Sequence, residues 1–241
     1  MKNPKFSIIT AVYNQKQYLP KIIESLENQS YRVGVSDKSF EWIVCDDGSD
    51  DGTDEFFRNY RHSKKNIPNF EYQYLRQRHK GNLSKNINQG IRKARGEYLV
   101  FIMGDSFPET NYLEVLNEWV NPNYVICGIR VNIEGKRVVE MDYRLRKGLI
   151  PQTSVLLVNE PWNLATGNGL TIPRQALEKQ GWDERFKVGG EDNEIIARLF
   201  YQGYLIWSVP QLIIYHNYHR NALPRERNDN LLNKIIRKYA S

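Results

Sequence analysis

Glu41-Trp42-Ile43-Val44-Cys45-Asp46-Asp47-Gly48-Ser49-Asp50-Asp51-Gly52-Thr53 reads as a short buried strand, Glu41 to Cys45, running straight into a dense turn signal. An acidic pair at a strand end does not serve core packing, because an unpaired buried carboxylate is costly. It points either to a ligand or to the cap of the next helix. Upstream, Phe6 to Val12 is a strand-length apolar run. Gln17 to Asn28 follows with Leu19, Ile22, Ile23 and Leu26 at helical spacing and Pro20 in the first turn. Downstream come a helix from Asp54 to Tyr60, an alternating strand Phe70 to Leu75 and a helix Ser84 to Ala94 with Ile87 and Ile91 on one face. The most apolar strand, Tyr98 to Met103, then stops at Gly104-Asp105-Ser106. Strands alternating with helices predict an α/β fold, a mainly parallel sheet covered on both faces. Right-handed crossovers put ligand loops at the carboxyl ends of its strands. Three such ends carry polar signals: Tyr13-Asn14, Asp46-Asp47 and Asp105.

After a helix at Asn111 to Val120 the pattern changes. Tyr124 to Ile133 and Arg137 to Tyr143 read as strands of a smaller, mixed sheet. A helix is expected from Pro173 to Lys179 and another from Asn193 to Tyr201, stopped by Gly203. Tyr204 to Trp207 and Leu212 to Tyr215 read as two short strands leading into His216-Asn217-Tyr218-His219-Arg220. Nothing looks like a linker, so residues 1–220 are expected to form one domain, followed by a basic tail over 221–241.

The 241 residues include 40% hydrophobic and 26% charged side chains, the balance of an ordinary globular protein. Collagen, coiled coil and wholesale disorder are excluded. No apolar run approaches the ~18 residues of a membrane span, and Met1 to Lys5 does not read as a signal peptide. Cys45 and Cys127 sit in apolar stretches and read as buried thiols, so a disulfide framework and a four-cysteine zinc site are excluded. A cytoplasmic chain is expected. Net charge is +6, with 11 Lys/Arg against Glu71 alone between Arg58 and Gly96, and six more after His216. Such patches attract phosphates on a nucleotide, a nucleic acid or an anionic membrane, or are simply a solvated face.

Four constellations carry chemistry. A carboxylate at Asp46-Asp47 suits the N3–H of a uracil-like base. Asp105, closing a buried strand, suits Mg²⁺ or Mn²⁺, hard cations that prefer oxygen. In Gly189-Gly190-Glu191-Asp192-Asn193-Glu194 acids sit at a helix N-terminus, where one could deprotonate a sugar hydroxyl or simply cap. His216 and His219 offer imidazoles that suit Mn²⁺ among oxygens.

Taken together, these motifs resemble family 2 glycosyltransferases of the GT-A fold over about residues 5 to 220. The resemblance rests on Thr10-Ala11-Val12-Tyr13-Asn14, on Trp42 to Ser49 with Asp51-Gly52-Thr53, and on Lys80-Gly81-Asn82, Asn88-Gln89-Gly90-Ile91 and Ala94 to Tyr98. Gly167-Asn168-Gly169, Gly181 to Phe186, Gly190 to Glu194 and Arg198-Leu199 look like the branch of chondroitin-type polymerases and galactosyltransferase-like modules. The resemblance implies a nucleotide-binding half over about 1–105 and an acceptor and catalytic half over about 106–220. It implies inverting transfer of a monosaccharide from a nucleotide diphosphate sugar, most simply a UDP-sugar, to a glycan, glycolipid or other acceptor hydroxyl.

By the same resemblance, Ala11, Tyr13, Asn14, Asp47, Lys80, Asn88, Gly104 and Asp105 bind the nucleotide, with Asp47 on the base. Asp192 is the base that activates the acceptor and Glu191 contacts the sugar, with Trp162 and Asn168 beside it. Asp105 and His216 hold Mn²⁺ or Mg²⁺, and a loop over about Asn217 to Asn228 closes on the diphosphate. Work at the inner face of the membrane, through the basic tail, is expected; nucleic acid is not. One departure stands out: the triplet that the family commonly writes Asp-x-Asp is Met103-Gly104-Asp105. Its missing first acid keeps a non-catalytic sugar-nucleotide or glycan-binding relative open, and the basic charge keeps open a transferase acting on modified nucleic acid.

Overall fold

The computed structural model describes residues 3–31, 40–63, 70–218 and 229–240. Its first layer alternates as expected: β1 (Phe6–Val12), α1 (Leu19–Glu27), β2 (Phe40–Asp46), α2 (Thr53–Ser63), β3 (Phe70–Arg76), α3 (Leu83–Lys93) and β4 (Tyr98–Phe101). Then follow β5 (Ser106–Pro108), α4 (Tyr112–Trp119), β6 (Tyr124–Glu134), β7 (Arg137–Glu140), α5 (Tyr143–Arg146), β8 (Val155–Leu157), β9 (Leu170–Pro173), α6 (Glu191–Tyr201), β10 (Leu205–Asn217) and α7 (Asp229–Ala240).

All strands join one sheet in the order β3-β2-β1-β4-β9-β6-β10-β5, with β7 on β6 and β8 on β10. β1 pairs in parallel with both β2 and β4. The chain thus steps one way from β1 to β3 and returns to place β4 on the other side of β1. That reversal is the switch point at which open α/β sheets leave a crevice beyond their carboxyl ends. The mixed second half continues the same sheet. β9 runs antiparallel between β4 and β6, and β10 is parallel to β6.

The long apolar runs exist because both faces are covered. Phe6, Ile8, Trp42 and Val44 enter one core with α1 and α4, while Ile9, Ala11, Ile43 and Cys45 enter the other with α3 and α6. Glu41 is fully buried in β2 and accepts from Ser7 Oγ at 2.6 Å, the Arg95 backbone N–H at 2.6 Å and the Arg95 guanidinium at 3.0 and 2.9 Å. The Ala94-Arg95-Gly96 segment therefore ties the entrance of β4 to β1 and β2.

Several expected boundaries shift. β7 ends at Glu140, and Tyr143 to Arg146 turns helical because Asp142 caps it, accepting from Arg144 N at 2.9 Å. Pro173 closes strand β9, and only a 3-10 turn, Arg174–Leu177, follows. The two short strands after Gly203 are one, β10, with its register broken between Ser208 and Ile213. Residues 229–240 of the expected tail form helix α7, with Leu232 and Ile235 buried against Phe186; residues 219–228 lie outside the described residues.

Cys45 and Cys127 are both fully buried, and burial pushes each thiol up to about 12. Since the thiolate is the reactive form, neither is expected to react with a disulfide reagent at pH 8 in the native protein. Both should react in denaturant. A thiol titrated on mixing under native conditions would contradict this burial.

Candidate active site

Two cavities open at the carboxyl ends of β1, β2 and β4. The larger, of about 660 Å³, is lined by Ala11, Tyr13, Asp47, Lys80 and Asp105 among others. The second, of about 330 Å³, is lined by Asp105, Asn168, Glu191, Asp192 and His216 among others. Met103 and Asp105 line both, so the two spaces meet where β4 ends.

Gly104 makes that meeting possible by close approach. Its N–H donates to Ala11 O at 2.9 Å, and a Cβ here would lie 2.5 Å from Val12 Cγ1 and 2.9 Å from Ala11 O. The residue thus holds the β4 turn against β1 and does not line either cavity. In the larger cavity Tyr13 stacks on His79, with ring centroids 4.2 Å apart and planes at 19°. Asp47, which is buried, accepts from Lys80 N at 3.0 and 3.2 Å, Gly81 N at 3.0 Å and Gln77 Nε2 at 2.8 Å. His79 Nδ1 lies 2.9 Å from its Oδ2. This carboxylate shapes the loop over 77–81 that forms one wall, and most of its acceptor positions are already used.

In the second cavity α6 is preceded by Gly190, whose φ of +89° is left-handed, a conformation that glycine adopts without strain. Asp192 Oδ2 accepts from Gly167 N at 3.1 Å and Oδ1 from Asn193 N at 2.9 Å. Two backbone donors thus fix the carboxylate at the cavity wall. Glu194, one turn along α6, is fully buried, with Arg198 Nε at 3.0 Å and Tyr239 Oη of α7 at 2.6 Å; α7 therefore braces the helix that carries Asp192. Across the cavity His216 Nε2 lies 3.4 Å from Asp105 Oδ2, and Asn168 donates to Ser106 Oγ at 2.8 Å.

Among the described residues no group of three or more His, Cys, Asp or Glu side chains could hold a metal ion. Asp105 and His216 nevertheless fit one. A carboxylate oxygen and an imidazole nitrogen face each other at one point, and such cations commonly take one or two protein ligands and complete their shell with phosphate and water.

Three other residues expected at the site have structural work instead. Asn14, at φ 54°, accepts from Asp50 N at 2.9 Å and closes the β1 turn. Asn88 clamps the 181–184 segment, donating to Trp182 O at 2.9 Å and accepting from Trp182 N at 2.8 Å. Trp162 is buried against Phe200 and Tyr201 and lines a separate cavity beneath α7. His79, Lys187, Arg130, Tyr143 and Asn163 line the cavities and were not anticipated. His79 had one available signal, its place between the β3 end and Lys80-Gly81.

The chain is 27% identical to the chondroitin synthase of Escherichia coli over an alignment covering 87% of this chain and 34% of that protein. It is 29% identical to the GalNAc(5)-diNAcBac-PP-undecaprenol beta-1,3-glucosyltransferase of Campylobacter jejuni over 60% of this chain and 41% of that protein. The chain thus spans well under half the length of either relative. Its fold resembles that of S. aureus TarS 1–349 solved with UDP-GlcNAc, with a TM-score of 0.74 at 19% identity over 98% of this chain and 65% of that one. A mannosyltransferase of Pyrobaculum calidifontis solved with GDP-Man and Mn²⁺ gives a TM-score of 0.67 at 17% identity, over 92% of this chain and 59% of that one. The fold is that of the GT-A glycosyltransferases. The sequence model of Glycosyl transferase family 2 matches residues 7–178, more than two thirds of the chain, and the chain belongs to that family.

Proposed function

We propose that this protein moves a hexosyl or N-acetylhexosaminyl unit from a UDP-sugar to an acceptor hydroxyl, with inversion. The observation that carries the reading is the meeting of the two cavities at Asp105. The larger is lined by an aromatic ring, a polar loop and Lys80, which suit a base and phosphates. The smaller carries an oriented carboxylate, Asp192, at the point where a sugar would project. Solved neighbours bound to UDP-GlcNAc and GDP-Man support a nucleotide-sugar donor.

In this reading Tyr13 and His79 part to receive the base, and Lys80 neutralises phosphate. Asp192 takes the proton of the acceptor hydroxyl as that oxygen attacks the anomeric carbon in line. Asp105 and His216 are the residues that would hold a divalent cation, Mn²⁺ or Mg²⁺, which when bound would supply positive charge to offset that of the departing diphosphate. Similarity to a chondroitin synthase and to a beta-1,3-glucosyltransferase named for a saccharide acceptor supports a saccharide acceptor here, in polysaccharide assembly. Lys234, Arg237 and Lys238 on the exposed side of α7 suit work at the inner, anionic face of the cytoplasmic membrane. Among the described residues no helix is long and apolar enough to cross a membrane.

The test is nucleotide release from UDP-, GDP-, dTDP- and CMP-sugars with and without Mn²⁺. Release is expected from UDP-sugars and only with the metal, and Asp105→Ala should raise the Mn²⁺ concentration required. Metal-independent release in wild type would remove the cation from this reading, and no release from any donor would return the chain to a binding role.

A further inference from the structure

Asn132 of β6 has only one chemically consistent orientation. Its Nδ2 donates to Glu140 Oε2 at 2.9 Å, and a carboxylate there can only accept. Its Oδ1 therefore faces His216 Nδ1 at 2.9 Å, which requires the imidazole proton to sit on Nδ1. In the neutral ring the lone pair then belongs to Nε2, the nitrogen that faces Asp105. The other Glu140 oxygen accepts from Arg146 Nη2 at 2.9 Å. A chain of contacts thus runs from α5 through the β6–β7 hairpin to the imidazole.

The backbone is built to complete this chain. Glu134 lies opposite Arg137 and Ile133 opposite Val138, so regular pairing would set Val139 against Asn132. The register instead shifts by one residue and sets Glu140 there. Directly opposed residues of an antiparallel pair share a face, so the bulge delivers the carboxylate to the amide. Bulges beside functional sites commonly re-aim a side chain in this way.

We propose that Asn132 and Glu140 are positioning residues for His216: they fix its tautomer and ring so that Nε2 is presented to a divalent cation. This rests on the reading of His216 as a metal ligand. An imidazole that ligates through one nitrogen generally donates its other N–H to a partner that holds it, and loss of that partner typically weakens metal binding 10–100-fold.

Two readouts test it, and the first needs no metal. In protein labelled with ¹⁵N-histidine at pH 8.5, ring-nitrogen spectra report the tautomer of His216, assigned through His216→Ala. Wild type should carry its proton on Nδ1. Asn132→Leu and Glu140→Ala should shift His216 toward the Nε2–H form, whereas Glu140→Gln, which keeps an acceptor, should stay close to wild type. Second, the electron-spin resonance of free Mn²⁺ gives its affinity, expected to fall about 10–100-fold in Asn132→Leu and Glu140→Ala and little in Glu140→Gln. Asn132 is buried, so if Asn132→Leu fails to fold, the two Glu140 variants carry the test. A proton on Nε2 in wild type, or an unchanged tautomer and Mn²⁺ affinity in the folded variants, would overturn the proposal. Unchanged Mn²⁺ affinity in His216→Ala overturns it by a separate route, removing the ligand reading while the tautomer spectrum still reports whether the contacts fix the ring.

Discussion

Asp192→Asn is expected to lower transfer by about 10²–10⁴ while leaving UDP affinity within a factor of two or so, the scale for losing a general acid or base. Asp192 lines the smaller cavity and is absent from the wall of the larger one, so its loss should be felt at the acceptor and not at the nucleotide. Asparagine keeps the size and one acceptor oxygen, but its amide would face a backbone donor, Gly167 N or Asn193 N. A stability loss of about 1–3 kcal/mol is expected from leaving that donor unsatisfied, too small to unfold the protein. Initial rates with saturating donor, paired with calorimetric titration of UDP, separate the two effects. Turnover above about a tenth of wild type would make Asp192 a helix-terminal residue only and move the base elsewhere.

Arg144→Met should destabilise the fold by about 3–5 kcal/mol at pH 7, the cost of leaving one member of a buried ion pair alone. Arg144 is fully buried and Asp142 nearly so. The guanidinium donates to Asp142 Oδ1 at 2.8 Å and Oδ2 at 2.6 Å, to Gly128 O at 2.9 Å and to Leu164 O. It thereby pins α5 and β6 to the segment whose Asn163, Ala165, Thr166, Gly167 and Asn168 line the smaller cavity, so activity should fall as well.

Burial pushes the Asp142 carboxyl up, but hydrogen bonds and the charge of Arg144, with help from the N–H groups of Arg130 and Arg144, outweigh it and hold the group below the usual carboxylate range. A depressed folded value means that the contribution of Asp142 is present above the unfolded carboxylate pKa of about 3.9 and fades as pH falls below it. Without Arg144 burial dominates and the sign reverses. The stability gap between wild type and variant in urea should therefore narrow on acidification toward pH 4. A loss under about 1 kcal/mol at pH 7 would show that the site collapses around the cavity.

The first layer was legible because β1, β2 and β4 are covered on both faces and read as unbroken apolar runs, and because each ends in polar residues at the switch point. The same logic placed Asp105, Asp192 and His216 at strand or helix ends that do converge. The illegible parts depend on distant partners. Asn88 sits in a motif that suggests a ligand, yet its amide is spent on Trp182, far along the chain, and no local pattern reveals that. Trp162 was expected beside the sugar, but its ring packs on Phe200 and Tyr201. Leu170-Thr171-Ile172-Pro173 is too short and too mixed to announce a strand. It becomes one only because β4 and β6 both present open edges to it.

That last strand sets an order on synthesis. β4 and β6 leave the ribosome before the residues that join them: β4 can pair with β1 and β6 with β7, but the edges that face each other stay open until Leu170–Pro173 emerges. At roughly 5–20 residues per second the gap between β6 and β9 lasts several seconds. Throughout that interval the nascent chain carries an unpaired edge on its most apolar strand, the kind of edge along which chains aggregate. The two halves of the crevice are thus stitched together late, by a strand whose residues line neither cavity.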